Sequence, residues 1–575
     1  MRRSSFWLSA LLAVGLLPRA GRAATSLTVD LSSTVRPVTH VASGSLYGLL
    51  EKQPADITGL VAPLHPNVFN NPAADVQQPI GDAIVVAGRV APVGGRVSIR
   101  LADWFPSWPY AFTNVSDWLD KVGQTVSRRQ SAGLTNIYAY EIWNEPDGTW
   151  KSQSLAFNDL WKQTYAQLRK LDPDIKITGP SISYYNQSYL QSFLSYCKTN
   201  DCLPDIVGWH ELSGGNVTAN VQNYRSLEKQ LGIGPLPITI NEYSGGADLS
   251  VEGQPGASAP LIAKFERLGV DSACISFWDV SHPGRLGSLL ATNTDPNGGW
   301  WFYKWYGDMS GNMVATTPPN ASSSTALDGF ANLDTTGQKA SVLFGGVNDG
   351  SVQVVIKGFQ SAAFFGSKVH VVVEHTPFVN RTTTVKATDV VSTADVAVSG
   401  DQITVSVSGT NNTDGYRVSL TPVGGSATGS GGAAGGLGGG GRAGTGGAGG
   451  HGGAAGAPGA GGATARGGAS GGAGSPGAGG TGDGRGTGGG AGGRIAGSGG
   501  MGEGGSGTGG DATGGSATGG SGTGGGAGSS APPATGGDGN AGCSCRVADN
   551  PVAPVWLLAL MGVVLIGRIR RRRIR

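Results

Sequence analysis

Two glutamates stand at the ends of short apolar segments and could form a catalytic pair. Glu145 lies in the motif Trp-Asn-Glu-Pro at positions 143–146, and Glu242 lies in Asn-Glu-Tyr at positions 241–243. Glycoside hydrolysis needs two such groups, because one carboxyl donates a proton to the leaving oxygen while the other attacks or stabilises the oxocarbenium-like carbon. Either glutamate alone could be a solvated acid, but the two together indicate this chemistry.

The residues beside the pair extend this interpretation. Asn144 directly precedes Glu145 and can hydrogen-bond a sugar hydroxyl near the reacting carbon. The negative charge of Glu242 is expected to raise the pKa of Glu145, because like charges at short distance disfavour a second ionisation. We therefore expect Glu145 to be protonated before a substrate binds.

The pair needs a scaffold that brings distant segments together, and eight apolar segments could supply it. They cover residues 45–50, 66–70, 96–101, 137–143, 176–179, 205–210, 237–241 and 272–278. Helical patterns between them begin at Ser116, Ser154 and Ser258. This alternation over ~260 residues predicts an α/β fold of the (β/α)8 TIM barrel type, with catalytic groups at the strand ends. An open doubly wound sheet is the alternative, but its glycine-rich phosphate turn is missing from the sequence.

The composition divides the chain further. Residues 25–308 are assigned to the barrel, and residues 309–423 contain short alternating segments that predict an antiparallel β-sandwich. Residues 424–542 consist mainly of Gly, Ala, Ser and Thr, which predicts a disordered Gly-rich linker because this composition cannot bury a core.

Both ends of the chain predict export. Residues 1–24 combine a charged start, an apolar segment and small residues, as a signal peptide does, with a transmembrane anchor as the alternative. Residues 543–575 hold two cysteines, an apolar segment and terminal arginines. They resemble the sorting tails of myxobacterial exported proteins, which implies a processed or lipidated tail that attaches the protein to the membrane at the cell surface. An ordinary tail anchor is the alternative.

The charge distribution argues against a nucleic-acid partner, and the cysteine spacing predicts a disulfide. The net charge of +2 includes the C-terminal arginines, and no basic pattern for nucleic acid lies in the predicted domains. Cys197 and Cys202 flank a short polar turn and are predicted to form a disulfide, as fits an exported protein. Cys274 lies in an apolar segment and is expected to be an inert core thiol.

Glu145 follows the fourth predicted strand, in Asn-Glu-Pro, and Glu242 follows the seventh. In these features the sequence resembles glycoside hydrolase clan A, and within it family 39, over about residues 43–422. The resemblance implies a carbohydrate substrate, retention of anomeric configuration and a β-sandwich beside the barrel. It also implies that Glu145 is the general acid/base and Glu242 the nucleophile.

Two positions depart from the clan pattern. Clan members commonly place a tyrosine two residues after the histidine of strand six, whereas this chain has Leu212 after His210, with Tyr243 as a candidate replacement. Many members have an arginine at the end of strand two, whereas this chain has asparagines at positions 70–71, with Arg100 on strand three as a possible substitute.

Further residues at the predicted mouth are candidate sugar contacts. They are Asn144, Trp143, His210, Glu211, Trp209, Tyr243, Trp278, Asp103, Trp104 and Arg100. The indole rings, with that of Trp108, could stack on sugars or pack in the core. Asp103 and Glu211 could bind hydroxyls or form salt bridges. His210 is expected to orient a carboxylate, and since no second ligand lies at suitable spacing, neither a metal nor an organic cofactor is predicted.

Three functions fit these residues. A retaining exo- or endo-glycosidase is favoured because both glutamates are present. A non-catalytic carbohydrate-binding adhesin and a transglycosylase that remodels the cell's own polysaccharide are the alternatives. Xylosides, arabinosides, glucosides and uronic-acid polymers all remain open as substrates, because loop geometry decides among them.

Overall fold

The computed structural model of the protein describes residues 25–74, 81–150, 154–212, 215–245, 251–276 and 282–424. The predicted signal peptide, Gly-rich linker and C-terminal tail lie outside these residues and stay predictions. Among the described residues, no helix is long and apolar enough to cross a membrane.

Seven parallel strands form the wall of a barrel, and they follow chain order around it. After β1 (Thr25–Pro37), which belongs to a second sheet, they are β2 (Val68–Pro72), β3 (Arg96–Arg100), β4 (Ile137–Glu141), β5 (Lys176–Ile182), β6 (Ile206–Glu211), β7 (Ile238–Tyr243) and β8 (Ser272–Ile275). Ser45 bridges to Ile275 on β8 and Leu46 bridges to Asn70 on β2, so the first predicted segment closes the barrel. The prediction of a (β/α)8 barrel is confirmed.

The first predicted strand, 45–50, is much shorter than expected. Its pairing is limited to the bridges at Ser45 and Leu46. Tyr47 has a φ of 50°, and this left-handed conformation ends the extended segment. The Tyr47 N–H nevertheless donates to the Asn70 carbonyl at 2.9 Å, which holds the segment against β2.

Helices surround the barrel, and asparagines cap several of them. They are α1 (Ile57–Leu60), α2 (Ala83–Val90), α3 (Val115–Ser131), α4 (Pro146–Thr149), α5 (Phe157–Leu171), α6 (Gln187–Thr199), α7 (Val217–Leu231), α8 (Pro255–Leu268) and α9 (Gly298–Gly307). The Asn114 side chain accepts from the Asp117 N–H and caps α3, just before the predicted start at Ser116. Ser258, predicted to cap a helix, lies inside α8, because Pro255 takes the first helical position.

A nine-stranded sheet forms the second part of the fold. Its other strands are β9 (Asn312–Thr317), β10 (Asp328–Asp334), β11 (Lys339–Gly345), β12 (Ser351–Lys357), β13 (Lys368–Thr376), β14 (Asp389–Ala397), β15 (Gln402–Ser408) and β16 (Gly415–Pro422). Their order is β14-β13-β16-β11-β10-β9-β1-β12-β15. Alternate apolar residues of these strands meet in one buried core, so the sheet packs as a sandwich.

The N-terminal strand differs from the predicted domain boundary. Residues 25–308 were assigned to the barrel, but β1 inserts between β9 and β12 of the second sheet. Leu27, Val29 and Leu31 alternate along β1 and are buried in the sandwich core. Because β1 runs parallel to β12, the sheet is mixed rather than antiparallel as predicted.

A buried ion pair joins the barrel to the sandwich. Lys264 on α8 lies 3.0 Å from Asp328 on β10, and both side chains are fully buried. Arg267, one turn later on α8, donates to the other carboxylate oxygen of Asp328 at 2.6 Å. Two cations therefore compensate the buried carboxylate, as a charge at such an interface requires.

The disulfide predicted between Cys197 and Cys202 is not formed in this structure. Both residues are buried free thiols, and a hydrogen bond between their side chains, followed by burial, raises the pKa of Cys197. The Cys202 N–H donates to the Cys197 carbonyl at 3.0 Å, so the tight turn after α6 is closed by a backbone hydrogen bond. Cys274 is a buried free thiol, as expected.

Candidate active site

The loop after β4 holds Glu145 in an unusual conformation. Its φ of 51° and ψ of 52° are left-handed, a region that non-glycine residues occupy at a cost of ~1–3 kcal/mol. The Glu145 N–H donates to the Ser181 carbonyl at 2.8 Å, and the Glu145 carbonyl accepts from the Thr149 N–H at 2.8 Å. These contacts fix the backbone, so the carboxyl group has a defined direction.

Glu242 lies in β7, where the pairing with β8 is irregular between Ile240 and Tyr243. Strict alternation would place neighbouring side chains on opposite faces of a strand. Here Asn241 and Glu242 both reach charged groups of one cluster: Asn241 donates to Glu141, and Glu242 pairs with Arg100. The irregularity therefore adds a polar side chain to the barrel interior.

His210 on β6 connects the two glutamates. Its Nδ1 lies 3.1 Å from Glu145 Oε1 and 3.5 Å from Glu242 Oε2. One oxygen of each carboxylate and one ring nitrogen of His210 all lie within 4.8 Å of one another. Among the described residues, these three side chains are also the group that could hold a metal ion. Glycosidases that retain configuration separate their carboxyl groups by ~5–5.5 Å, whereas inverting ones need ~6.5–9.5 Å.

Arg100 on β3 supplies the positive charge of the site. Its Nη1 lies 2.8 Å from Glu242 Oε1, and its Nε lies 3.1 Å from Glu141 Oε1. Glu141, on β4, also accepts hydrogen bonds from Asn241 at 2.8 Å and from Asn70. All these side chains are buried, so one guanidinium is shared by two carboxylates in a region of low dielectric constant.

The electrostatics of the pair differ from the expectation. Burial raises the pKa of Glu242, and this outweighs the opposing effects of His210 and Arg100. Burial also acts to raise the pKa of Glu145, but the hydrogen bond and charge of His210, with Arg100 and Trp108, bring it below its usual value. The pKa of His210 is raised: burial lowers it, but both carboxylates oppose that effect. The sequence predicts a raised pKa for Glu145, whereas in the structure the pKa of Glu145 is lowered and those of Glu242 and His210 are raised.

Several predicted residues do come together. His210 and Arg100 contact the carboxylates directly. Asn144 is buried and hydrogen-bonds Tyr110, and Asp103 lies beside Arg100 in a group that includes two tyrosines. Trp108, predicted as a rim aromatic, hydrogen-bonds Glu145 and is half-buried. Its ring is therefore placed beside the acid.

Three other residues that the sequence predicts as sugar contacts have side chains that face the helices in this structure. Trp209 and Glu211 flank His210 on β6 and point the opposite way, with the indole donating to Glu211 at 2.8 Å. Asn220 on α7 also donates to Glu211, at 2.9 Å. Tyr243 was a candidate for the missing tyrosine, but its hydroxyl lies 2.6 Å from that of Tyr303, behind the strand.

Two further indole rings also pack elsewhere. Trp143 donates to Thr149 at 2.9 Å and is buried in an aromatic cluster under the loop. Trp104 donates to Thr125 on α3 at 2.7 Å, which turns its ring toward that helix. Trp278 lies outside the described residues.

Sequence reasoning missed Glu141, Asn241, Tyr47 and Tyr110. Glu141 had a usable signal, because a charged residue inside an apolar strand must have a partner when buried. The two tyrosines gave no comparable signal, since buried tyrosines are common in cores.

Comparisons with known proteins connect this geometry to a family. Residues 112–232 match the model of glycosyl hydrolases family 39. A 3-O-β-L-arabinopyranosyl-α-L-arabinofuranosidase of Bifidobacterium pseudocatenulatum is 27% identical over 70% of this chain and 48% of its own length. A 3-O-α-D-galactosyl-α-L-arabinofuranosidase of Bifidobacterium longum subsp. longum is 28% identical over 69% of this chain and 40% of its own. The solved structure of N2152 from Neocallimastix frontalis is 48% identical, with a TM-score of 0.68, and the match covers 69% of this chain and all of that chain.

The part of the barrel at residues 112–232 is similar to family 39 glycoside hydrolases. The matched segment 112–232 includes Glu145 and His210, and the alignments with the two Bifidobacterium relatives cover 70% and 69% of this chain. The chain spans about half the length, or less, of the two curated relatives.

The shared guanidinium leads to a prediction about stability. Glu141→Gln should lower the free energy of unfolding by about 2–4 kcal/mol, because Arg100 loses a buried partner and the new amide group faces the donating amides of two asparagines. Glu211→Gln is the matched control: Glu211 is also buried but accepts from neutral donors only, so its loss should cost about 1 kcal/mol. Urea denaturation of the full chain measures both, and equal losses would contradict the charged network.

Proposed function

We propose that the protein is a retaining glycoside hydrolase that works by double displacement. The short separation of Glu145 and Glu242, both within reach of His210 Nδ1, is the observation that carries this proposal. A separation this small leaves no room for a water between the sugar and the second carboxylate, so direct attack by that carboxylate is favoured.

In the proposed reaction, Glu242 attacks the anomeric carbon while Glu145 gives its proton to the leaving oxygen. Arg100 holds Glu242 in place at 2.8 Å and favours its ionised form as the sugar approaches. A water deprotonated by Glu145 then cleaves the glycosyl ester, and Glu242 departs as a carboxylate.

The proton must reach Glu145 before the first step. In the sugar-free site the pKa of Glu145 is lowered, whereas the pKa values of Glu242 and His210 are raised. Since one nitrogen of His210 contacts both carboxylates, we infer that a bound sugar shifts the proton across His210 to Glu145. The half-buried ring of Trp108 hydrogen-bonds the same carboxyl and would limit the entry of water.

For the substrate we propose an α-L-arabinofuranosyl residue at the end of an oligo- or polysaccharide side chain. The two Bifidobacterium relatives are named for release of substituted arabinofuranosyl groups, and each aligns with about 70% of this chain. The carboxylate pair argues against a purely carbohydrate-binding adhesin, because binding alone does not need two buried acids joined by a histidine.

We further propose that the enzyme acts at the cell surface, on the basis of the signal-like residues 1–24 and the tail at 543–575. In the producing cells the full chain should fractionate with membranes, and a chain ending at Val423 should appear in the medium with the same specific activity. Equal release of both forms would contradict anchoring.

The stereochemistry of the first product tests the proposed mechanism. With 4-nitrophenyl α-L-arabinofuranoside, ¹H NMR should show the α anomer of the released sugar first, followed by mutarotation. Glu242→Gln should lower kcat by ~10⁴-fold or more, while Glu211→Gln, a buried acid outside the site, should retain turnover. Appearance of the β anomer first would mean that Glu242 activates a water. A panel with the β-D-xyloside and β-D-glucoside identifies the sugar.

A further inference from the structure

We propose that Asp103, with Tyr47 and Tyr110, forms a positioning bridge that sets the hydrogen-bond direction at both carboxylates. The bridge runs from Arg100, beside Glu242, to Asn144, beside Glu145. This inference rests on the proposed glycosidase function, but the bridge itself follows from the contacts of Asp103.

Asp103 is 1% exposed and lies between two phenols. Its Oδ2 accepts from the Tyr47 hydroxyl at 2.5 Å, and its Oδ1 accepts from the Tyr110 hydroxyl at 3.1 Å. An ionised carboxylate can only accept hydrogen bonds, so both phenol protons must point at Asp103. Each phenol oxygen is then left with lone pairs that can accept from another group.

On the nucleophile side, this direction fixes Arg100. Its Nη1 donates to the Tyr47 oxygen at 3.2 Å and lies 2.8 Å from Glu242 Oε1. One guanidinium nitrogen thus uses its two hydrogens for two defined acceptors. If Tyr47 instead donated toward Arg100, the guanidinium would turn and its contact with Glu242 would weaken.

On the acid side, the same direction orients Asn144. Its side chain hydrogen-bonds the Tyr110 hydroxyl, and because the Asn144 Oδ1 makes no hydrogen bond among the described residues, the amide N–H is the donor. The Asn144 Oδ1 is buried and has no partner among the described residues. A buried acceptor left unpaired costs ~1–3 kcal/mol, which agrees with the sugar hydroxyl contact that the sequence predicts for Asn144.

The backbone of Tyr47 supports a dedicated role. An aromatic residue at a φ of 50° is a strained exception, and such strain persists where the surroundings hold it in place. Since position 212 is leucine and Tyr243 faces the helices, Tyr47 brings a phenol to the Glu242 side from a different strand.

The bridge makes the site sensitive to pH. Burial raises the pKa of Asp103 to about 6, against the opposing effects of Arg100, Tyr47 and Tyr110 and with the added effect of Glu141, and these are the groups that face it. A protonated Asp103 becomes a donor at one oxygen, which forces one phenol to reverse. Activity should therefore fall as the pH falls through about 6.

The test compares kcat and KM from pH 4.5 to 8 for the full chain and three variants, Asp103→Asn, Tyr47→Phe and Tyr110→Phe. Asn carries a donor at one oxygen position and so imitates the protonated bridge. We expect Asp103→Asn to lower kcat about 30-fold or more at pH 7 and to keep KM within threefold of the wild-type value. In this variant the fall in activity near pH 6 should be absent. Tyr47→Phe should mainly lower kcat, and Tyr110→Phe should mainly raise KM.

Tyr140→Phe is the matched control. The Tyr140 hydroxyl on β4 donates to the buried carboxylate of Asp172 at 2.8 Å, so this is a similar tyrosine–aspartate pair outside the bridge. This variant should keep kcat, KM and the pH profile. The proposed bridge is excluded if Asp103→Asn keeps kcat within threefold of the wild-type value and still loses activity near pH 6. It is also excluded if Tyr140→Phe changes kcat and the pH profile as much as Asp103→Asn does.

Two readouts separate the bridge from other failures. If Asp103→Asn does not fold by circular dichroism, the opposite kcat and KM responses of the two phenylalanine variants decide the question, and identical responses overturn the bridge. If the wild type hydrolyses no glycoside, the proposed function fails, and binding of 1,4-dideoxy-1,4-imino-L-arabinitol is measured by calorimetry instead. If the affinity for this inhibitor no longer changes near pH 6 in Tyr47→Phe and Tyr110→Phe, the bridge is supported. If the affinity of both variants depends on pH as in the wild type, the bridge is overturned.

Discussion

The sharing of Arg100 between Glu141 and Glu242 is the interaction on which the site depends. Three carboxylates, Glu141, Glu145 and Glu242, lie in the same buried region, and their mutual repulsion must be offset without water. Arg100 contacts two of them directly, and His210 contacts the remaining one together with Glu242. This arrangement fixes the orientation of Glu242 and keeps one ring nitrogen of His210 within reach of both Glu145 and Glu242.

The barrel closes around these charges with an irregular first strand. In a regular strand at 45–50, alternation along the strand would decide which face the side chain at position 47 takes. The left-handed backbone of Tyr47 instead directs its phenol to Asp103 and Arg100. The β7 irregularity acts in the same way for Asn241. Both deviations from ideal strand geometry bring polar groups to the carboxylates, as deviations at functional sites commonly do.

The sequence allowed prediction of the barrel and of the strands that position both glutamates, because strand ends and the Asn-Glu-Pro motif are local features. It did not allow prediction of the face that each aromatic residue takes: Trp209 and His210 are neighbours, and only the register of β6 places the histidine inside. The membership of β1 in the sandwich depends on pairing with residues about 325 positions away, such as Thr25 with Val352, which no local pattern encodes. The proton distribution likewise depends on distances that appear only in the folded chain.

The proposed mechanism requires that Glu242 becomes covalently attached to the sugar. The most direct measurement is mass spectrometry of the protein after incubation with a mechanism-based inhibitor, such as an α-L-arabinofuranosyl-configured cyclophellitol, followed by proteolysis. We expect one equivalent of label per chain, located on Glu242, and none in Glu242→Gln. Label on Glu145 would reverse the assigned roles, and absence of label from a protein that hydrolyses arabinofuranosides would contradict a covalent intermediate.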